Sequence, residues 1–353
     1  RHPREVRGPM TPAIPYDAIL VLSFGGPEGS DDVMPFLENV LRGRNVPRER
    51  MAEVAHHYEL FGGVSPINQQ NRDLIQALRA ELDANHIALP IYWGNRNWAP
   101  MLPDTLRLMA ADGRRHALAY ITSAYSSYSG CRQYLEDIAR AQAEVGERAP
   151  MVSPLRKFFN HPAFIAANAD HLRAALDQVP ADRRAGTALV FTAHSIPESM
   201  ARTSAYERQL REASRLVAGA VGHPQWDLVY QSRSGPPSQP WLAPDICDHL
   251  RSLAARGVTD VVVAPVGFLS DHVEVLYDLD IEARAVAQSL GLSLVRAPTV
   301  GVHPAFVGMI RELLVERLHE GTERRALGTL GPSRDVCDAE CCTPDAEQSA
   351  GAR

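Results

Sequence analysis

The run Val261-Val262-Val263-Ala264-Pro265-Val266-Gly267-Phe268 constrains the fold of this chain more than any other stretch. It is poor in charge and rich in valine, the signature of a strand buried on both faces of a parallel sheet. Runs of the same kind stand at 17–24 (DAILVLSF), 116–124 and 187–193, with weaker ones at 88–93, 227–231 and 292–296. Amphipathic segments lie between them. Strands alternating with helices in both halves predict an α/β chain of two similar doubly wound units, each around a parallel sheet. The expected organisation is a Pro- and Arg-rich leader or extension over 1–15, with Met10 an alternative start, and a first unit over 16–124. A second unit follows over 125–303, entered through a Pro-containing connection near Ala149-Pro150. A helix at 304–320 crosses back onto the first unit, and a tail covers 321–353.

Chemistry gathers where strands end. Ser270 or Asp271 is placed to N-cap a helix after the valine run. On that helix Glu274, Asp278 and Glu282 are spaced i, i+4, i+8 and share one face, with His272 beside them. A solvated acidic face is the commoner explanation for such a run. Doubly wound folds, however, bind ligands at the carboxyl ends of their strands. The run 188–193 ends in His194-Ser195-Ile196-Pro197, so a second strand end brings an imidazole. A lone histidine there reads as structural, but facing carboxylates it makes a proton-accepting or divalent-metal site.

FTAHSIP at 191–197 and PVGFLSDHVEVLYDLDIE at 265–282 together resemble the ferrochelatases, which insert ferrous iron into a porphyrin. LSFGGPEG near the start, GGVSPI at 62–67 and YQSRSGPPSQPWLAPD at 230–245 extend the resemblance over about 16–320. It implies the chelatase fold, two Rossmann-like domains with a cleft between them. It also implies Fe2+ as a substrate, with His194 and Glu274 catalytic and the iron met by His194, Glu274, Asp278 and Glu282. His194 then accepts a pyrrole proton or holds incoming iron, Glu274 takes or relays protons, and Asp278 and Glu282 continue a ladder of carboxylates. Imidazole and carboxylates suit an ion that must be passed on, where a thiolate cage would hold it too tightly.

The same resemblance assigns the porphyrin pocket. Phe24 lines it, standing where some bacterial relatives have an iron-ligating tyrosine. Ser65 in the GGVSP turn is a candidate propionate donor, and Tyr125 and Tyr134 are candidate lining residues. Arg42, Arg44, Arg48 and Arg50 fall within nine residues of the pocket lip, with Asn45 among them. They read either as a solvated rim or as partners for propionates, which guanidinium groups bind in bidentate fashion. A polar lip favours coproporphyrin III, with its four propionates, over protoporphyrin IX. The expected activity is therefore coproporphyrin III ferrochelatase making coproheme, with hand-over to a coproheme decarboxylase. The alternatives are a protoporphyrin IX ferrochelatase and a non-catalytic haem or iron carrier whose cluster senses redox state. A serine hydrolase built on His194 and Ser195 is discounted, because no G-x-S-x-G elbow is present.

Five cysteines are too few for a disulfide framework in 353 residues. Cys337, Cys341 and Cys342 lie together in a tail otherwise without periodicity. They are one short of the four thiolates of an all-cysteine [2Fe–2S] cluster, and Cys131 can supply the fourth. Relatives with one internal and three C-terminal cysteine ligands support that reading, against a structural zinc or unligated thiols. Cys247, beside Ile246, reads as a core thiol. A net charge of −6, with no basic stripe, argues against nucleic acid. No apolar run approaches a membrane span and no signal peptide opens the chain, so a cytoplasmic monomer is expected.

Overall fold

A computed structural model describes residues 15–43, 46–338 and 341–343. Arg44 and Asn45 of the expected lip lie outside the described residues, as do residues 1–14 and most of the tail's last fifteen positions. Strands β1 (Ala18–Ser23), β2 (Ile91–Asn95), β3 (His116–Ile121) and β4 (Met151–Pro154) form one sheet in the order β2-β1-β3-β4. Strands β5 (Ala188–His194), β6 (Asp227–Gln231), β7 (Asp260–Ala264) and β8 (Ser293–Arg296) form a second, ordered β6-β5-β7-β8. Every pairing is parallel. The two orders are the same plan used twice.

Helices make the crossovers that parallel pairing requires. α1 (Ser30–Val40), α2 (Arg48–Glu59) and α3 (Ile67–Ala84) join β1 to β2, α4 (Leu102–Ala111) joins β2 to β3, and α5 (Gln133–Val145) joins β3 to β4. α6 (Pro162–Leu176) leads to β5, α7 (Glu198–Arg202) and α8 (Tyr206–Ala220) to β6, and α9 (Ile246–Ala255) to β7. After β7 come α10 (Val273–Val275), a π-helical segment Leu276–Ala283 and α11 (Arg284–Ser289); α12 (Pro304–Leu318) follows β8.

Alternation along the strands sets the layers. Ile19 and Val21 of β1, with Leu189 and Phe191 of β5, point into one core shared by both sheets and filled from α3, α6, α8 and α12. Ala18, Leu20 and Leu22 point the other way, onto α4 and α5, and Val261 and Val263 point onto α9. Each such fully buried Leu, Ile, Val or Phe contributes roughly 1.5–3 kcal/mol, and the shared core fixes the two sheets against each other. Cys247 lies in the outer core of the second sheet.

The boundary expected at 124/125 does not divide the sheets. β4, read as part of a connection, completes the first sheet through β3. It is an edge strand of four residues carrying a proline, which an edge tolerates because one side of its backbone needs no partner. α12 lies against α3 and α6. Arg311 on it pairs with Glu81 at 2.7 Å, and Glu316 holds the buried Arg156 through two bonds of 2.7 and 2.8 Å. Among the described residues no helix is long and apolar enough to cross a membrane.

Candidate functional site

In each sheet the strand order reverses beside its first strand, so the loops leaving β5 and β7 diverge and open a crevice at the carboxyl edge. His194 is the last residue of β5, and the helix after the neighbouring β7 carries Glu274. Sheet pairing thus brings together residues far apart in the chain. His194 Nδ1 lies 2.5 Å from the carbonyl of Ser195, an acceptor only, so Nδ1 carries the ring proton and donates it there. The lone pair on Nε2 is left facing Glu274 Oε2 at 3.7 Å. Their side chains keep 33% and 47% of their surface exposed, enough for a ligand to reach both. Tyr206 secures the backbone here by donating to the His194 carbonyl at 3.0 Å. The Ser195 hydroxyl is buried and donates to the Leu242 carbonyl at 2.8 Å, so it is no nucleophile.

Asp278 lies one turn deeper. Burial pushes its carboxyl up to about 7, with the Glu274 charge adding to the rise; hydrogen bonds from Ser232 and Gln231 and the nearness of His194 oppose it. The Ser232 hydroxyl donates to Asp278 Oδ2, and Gln231 Nε2 donates to the same oxygen at 3.2 Å and to the Glu274 carbonyl at 3.4 Å. Ser232 holds a left-handed backbone, φ +60°, a conformation a non-glycine residue keeps only when its surroundings impose it. Sequence reasoning passed over both residues. Their signal was position, directly at the end of β6 beside β5. Burial lowers the proton affinity of His272, while Glu274 opposes the shift.

The acidic helix is not the regular α-helix expected. His272 occupies the N-cap without a side-chain cap bond, and Asp271 faces away to Arg296 at 2.7 Å. Arg296 also grips Asp280 through bonds of 2.7 and 2.8 Å, tying the start and middle of the helix to the end of β8. Between them the chain runs in π register over Leu276–Ala283, whose wider turns change the phase among the three acids. Glu274 faces His194, and Asp278 lies near enough to feel its charge. Glu282 lies further out, exposed, its carboxyl pushed up by partial burial and by Asp245, with Arg251 opposing.

The first half supplies the opposite wall. Phe24, 37% exposed, meets Phe36 edge-on at 6.2 Å, and Phe36 meets Tyr58 at 5.8 Å and Trp98 at 6.5 Å. Tyr58, not foreseen, lies close enough to Glu274 for that charge to add to the upward push of burial on its hydroxyl. His57 stacks on Tyr277 of the π segment at 3.6 Å, and Gln70 brackets the Asp271 backbone with bonds of 2.9 and 3.3 Å.

Three expected lining residues are buried instead. Tyr125 is 3% exposed, and its hydroxyl donates to the Val266 carbonyl at 2.9 Å, joining the loops after β3 and β7. Tyr134 is buried beneath Arg96, whose guanidinium lies 4.6 Å from its ring and 5.8 Å from that of Phe24, so it backs the wall from behind. Ser65 is buried against Gly26, where a Cβ would come within 2.7 Å of it; the two turns interlock through glycine. Arg42 is exposed at the lip and donates to Asn39 at 2.5 Å.

The cysteines come together where the tail meets the segment after β3, at Arg132. Cys131 and Cys342 lie near enough for each to shift the other's proton affinity, and Cys341 Sγ lies 3.6 Å from Cys342 Sγ. Cys337 is near enough to Cys131 and Cys341 to feel their charge. The neighbouring Cys342, then the Lys157 ammonium, pulls Cys131 down to about 5, while Cys342 is pushed up. Arg132 fastens the tail with two bonds to the Cys341 carbonyl at 3.0 and 2.7 Å, and the Cys342 N–H donates to the Thr203 carbonyl at 3.2 Å. Among the described residues no three His, Cys, Asp or Glu side chains converge as a single ion needs. A two-iron cluster instead spreads its four thiolates in pairs, and a donor set of four neighbouring thiols beside one ammonium fits that group.

A sequence profile described as Ferrochelatase matches residues 16–318. A protein named Ferrochelatase from Rhodopirellula baltica is 58% identical over 342 residues, covering 96% of this chain and 97% of its own. Proteins named Coproporphyrin III ferrochelatase from Streptomyces coelicolor and Nocardia farcinica are each 53% identical, covering 96% of this chain and 96% and 99% of theirs. Among solved structures, the cobalt complex of the sirohydrochlorin chelatase SirB of Bacillus subtilis superposes with a TM-score of 0.51 at 12% identity. It covers 87% of this chain and all of that one. SirB with Fe3+ gives the same score, at 13% identity over 84% of this chain and 95% of that one. The architecture is the two-domain chelatase fold.

Proposed function

This chain belongs to the ferrochelatase family and is a metal-inserting enzyme with Fe2+ and a porphyrin as substrates, and we propose that its porphyrin is coproporphyrin III. The observation that carries the catalytic reading is the pair facing across an open crevice, His194 Nε2 and Glu274 Oε2. Insertion must remove two pyrrole protons and strip water from the ion. The ring lone pair takes a proton or holds iron, and Glu274 accepts or relays the proton. Asp278, braced by Ser232 and Gln231, stands next on the path, and Glu282 extends it outward as an outer site for cations. Phe24, backed by Phe36 and Trp98, forms the face against which the macrocycle lies.

The choice of coproporphyrin III rests on the polar lip, where Arg42, Arg48 and Arg50 are exposed, and on the names of the actinobacterial relatives. Anaerobic insertion of Fe2+ into coproporphyrin III and, separately, protoporphyrin IX tests it by visible absorption. The expected result is faster conversion of coproporphyrin III. Preference for protoporphyrin IX would overturn the lip argument, and binding of both without conversion would favour a carrier. The product then passes to a coproheme decarboxylase from a monomeric cytoplasmic enzyme.

Cys131, Cys337, Cys341 and Cys342 would hold a [2Fe–2S] cluster, which supplies one-electron chemistry when bound. Replacing Cys341 with serine is expected to remove most of the visible charge-transfer absorption of the purified protein. A wild type that is colourless and free of iron when purified anaerobically would sink the assignment.

A further inference from the structure

We propose that Lys157 is the charge that positions Cys131 and sets the electron affinity of the cluster. The inference rests on the four-cysteine assignment above and goes beyond it. The chain holds 36 basic side chains of the Lys and Arg types, and Lys157 is the one lysine among them. A composition so biased toward arginine makes a lysine at one partly buried position a demand of the site.

The geometry gives the reason. An ammonium is a compact charge with three donors that rotate independently, where a guanidinium offers a planar fork. Lys157 Nζ donates to the Ser123 carbonyl at 2.9 Å and to the Gly130 carbonyl at 2.5 Å. These two acceptors bound the loop after β3 that carries Cys131, so one group closes the loop from within. The third donor is left on the side of Cys131, whose sulfur is near enough for the two charges to act on each other. Cys342 and Cys337 lie within reach of the same charge, so the cation serves the whole thiol group. Iron insertion at the His194–Glu274 pair gives the residue no task.

A positive charge beside a cluster favours its reduced, more negative form, so it raises the reduction potential. Its removal must lower that potential. The test is a spectroscopic redox titration of the purified, cluster-loaded wild type and of Lys157→Met, Lys157→Gln and Lys157→Arg, with circular dichroism to confirm folding. The two neutral variants are expected to titrate at a clearly more negative potential, and Lys157→Arg nearer to the wild type. Loss of the cluster from folded neutral variants, with retention in Lys157→Arg, would support the same role. Neutral variants titrating with the wild type would overturn it. So would loss of the cluster, or an equal shift, in all three. A wild type without cluster absorption would instead overturn the cluster assignment, on which this inference stands.

Discussion

Replacing His194 with alanine is expected to lower the rate of iron insertion about 10³-fold, within the 10²–10⁴ that a positioned general acid or base supplies. That loss corresponds to about 4 kcal/mol of transition-state stabilisation. The atoms are already aligned for it. The Ser195 carbonyl fixes the tautomer, the Tyr206 hydroxyl fixes the backbone, and Nε2 is left as the lone pair aimed at Glu274. Alanine removes that lone pair and leaves the strand intact, since the imidazole is a third exposed and fills no core. Thermal stability should change by no more than about 1 kcal/mol. Steady-state kcat with the preferred porphyrin, measured anaerobically, decides the matter. A variant within a few-fold of wild type would take His194 off the catalytic list. Unchanged porphyrin binding with lost turnover would separate an enzyme from a carrier.

Where the sequence was readable, it was because burial leaves a periodic trace. The valine run at β7 and the run at β5, apolar but for Thr192, are dominated by apolar residues because each strand is covered on both faces. β4 left no such trace, since an edge strand of four residues with a proline is half wetted. His194 and Glu274 were legible from their places at strand ends, a rule of topology that needs no coordinates. The π register was not, because it is a choice among backbone hydrogen bonds that side-chain spacing does not encode. Tyr125 and Tyr134 show a second limit. An aromatic after a strand can face a ligand or a core, and what decides for Tyr125 is the Val266 carbonyl, 141 positions away in the chain. Tyr134 is claimed by Arg96 in the same manner, from a different loop. Gln231 and Ser232 were invisible because their partner, Asp278, reaches them only once β6 and β5 have paired.

Replacing Glu274 with glutamine is expected to cost about 10²-fold in kcat, close to 2.7 kcal/mol. Glutamine keeps the size, the reach and one acceptor oxygen, so the crevice should retain its shape. What it loses is the charge, and with it the ability to take a proton facing His194. The charge also acts on Asp278, whose carboxyl is pushed up to about 7, chiefly by burial and partly by Glu274. In the wild type, protons therefore compete with Fe2+ for Asp278 as the pH falls through about 7, and the apparent KM for iron should rise over that range. A neighbouring negative charge raises a carboxyl's proton affinity, so removing it lowers that affinity. In Glu274→Gln the rise in KM should consequently begin at a lower pH than in the wild type. Parallel pH profiles in the two proteins would show that the carboxylates do not communicate. A rate within a few-fold of wild type would leave His194 to handle the proton alone. A lowered rate with a displaced profile would place Glu274 in both parts of the reaction, receiving the proton and setting the affinity with which the next carboxylate holds iron.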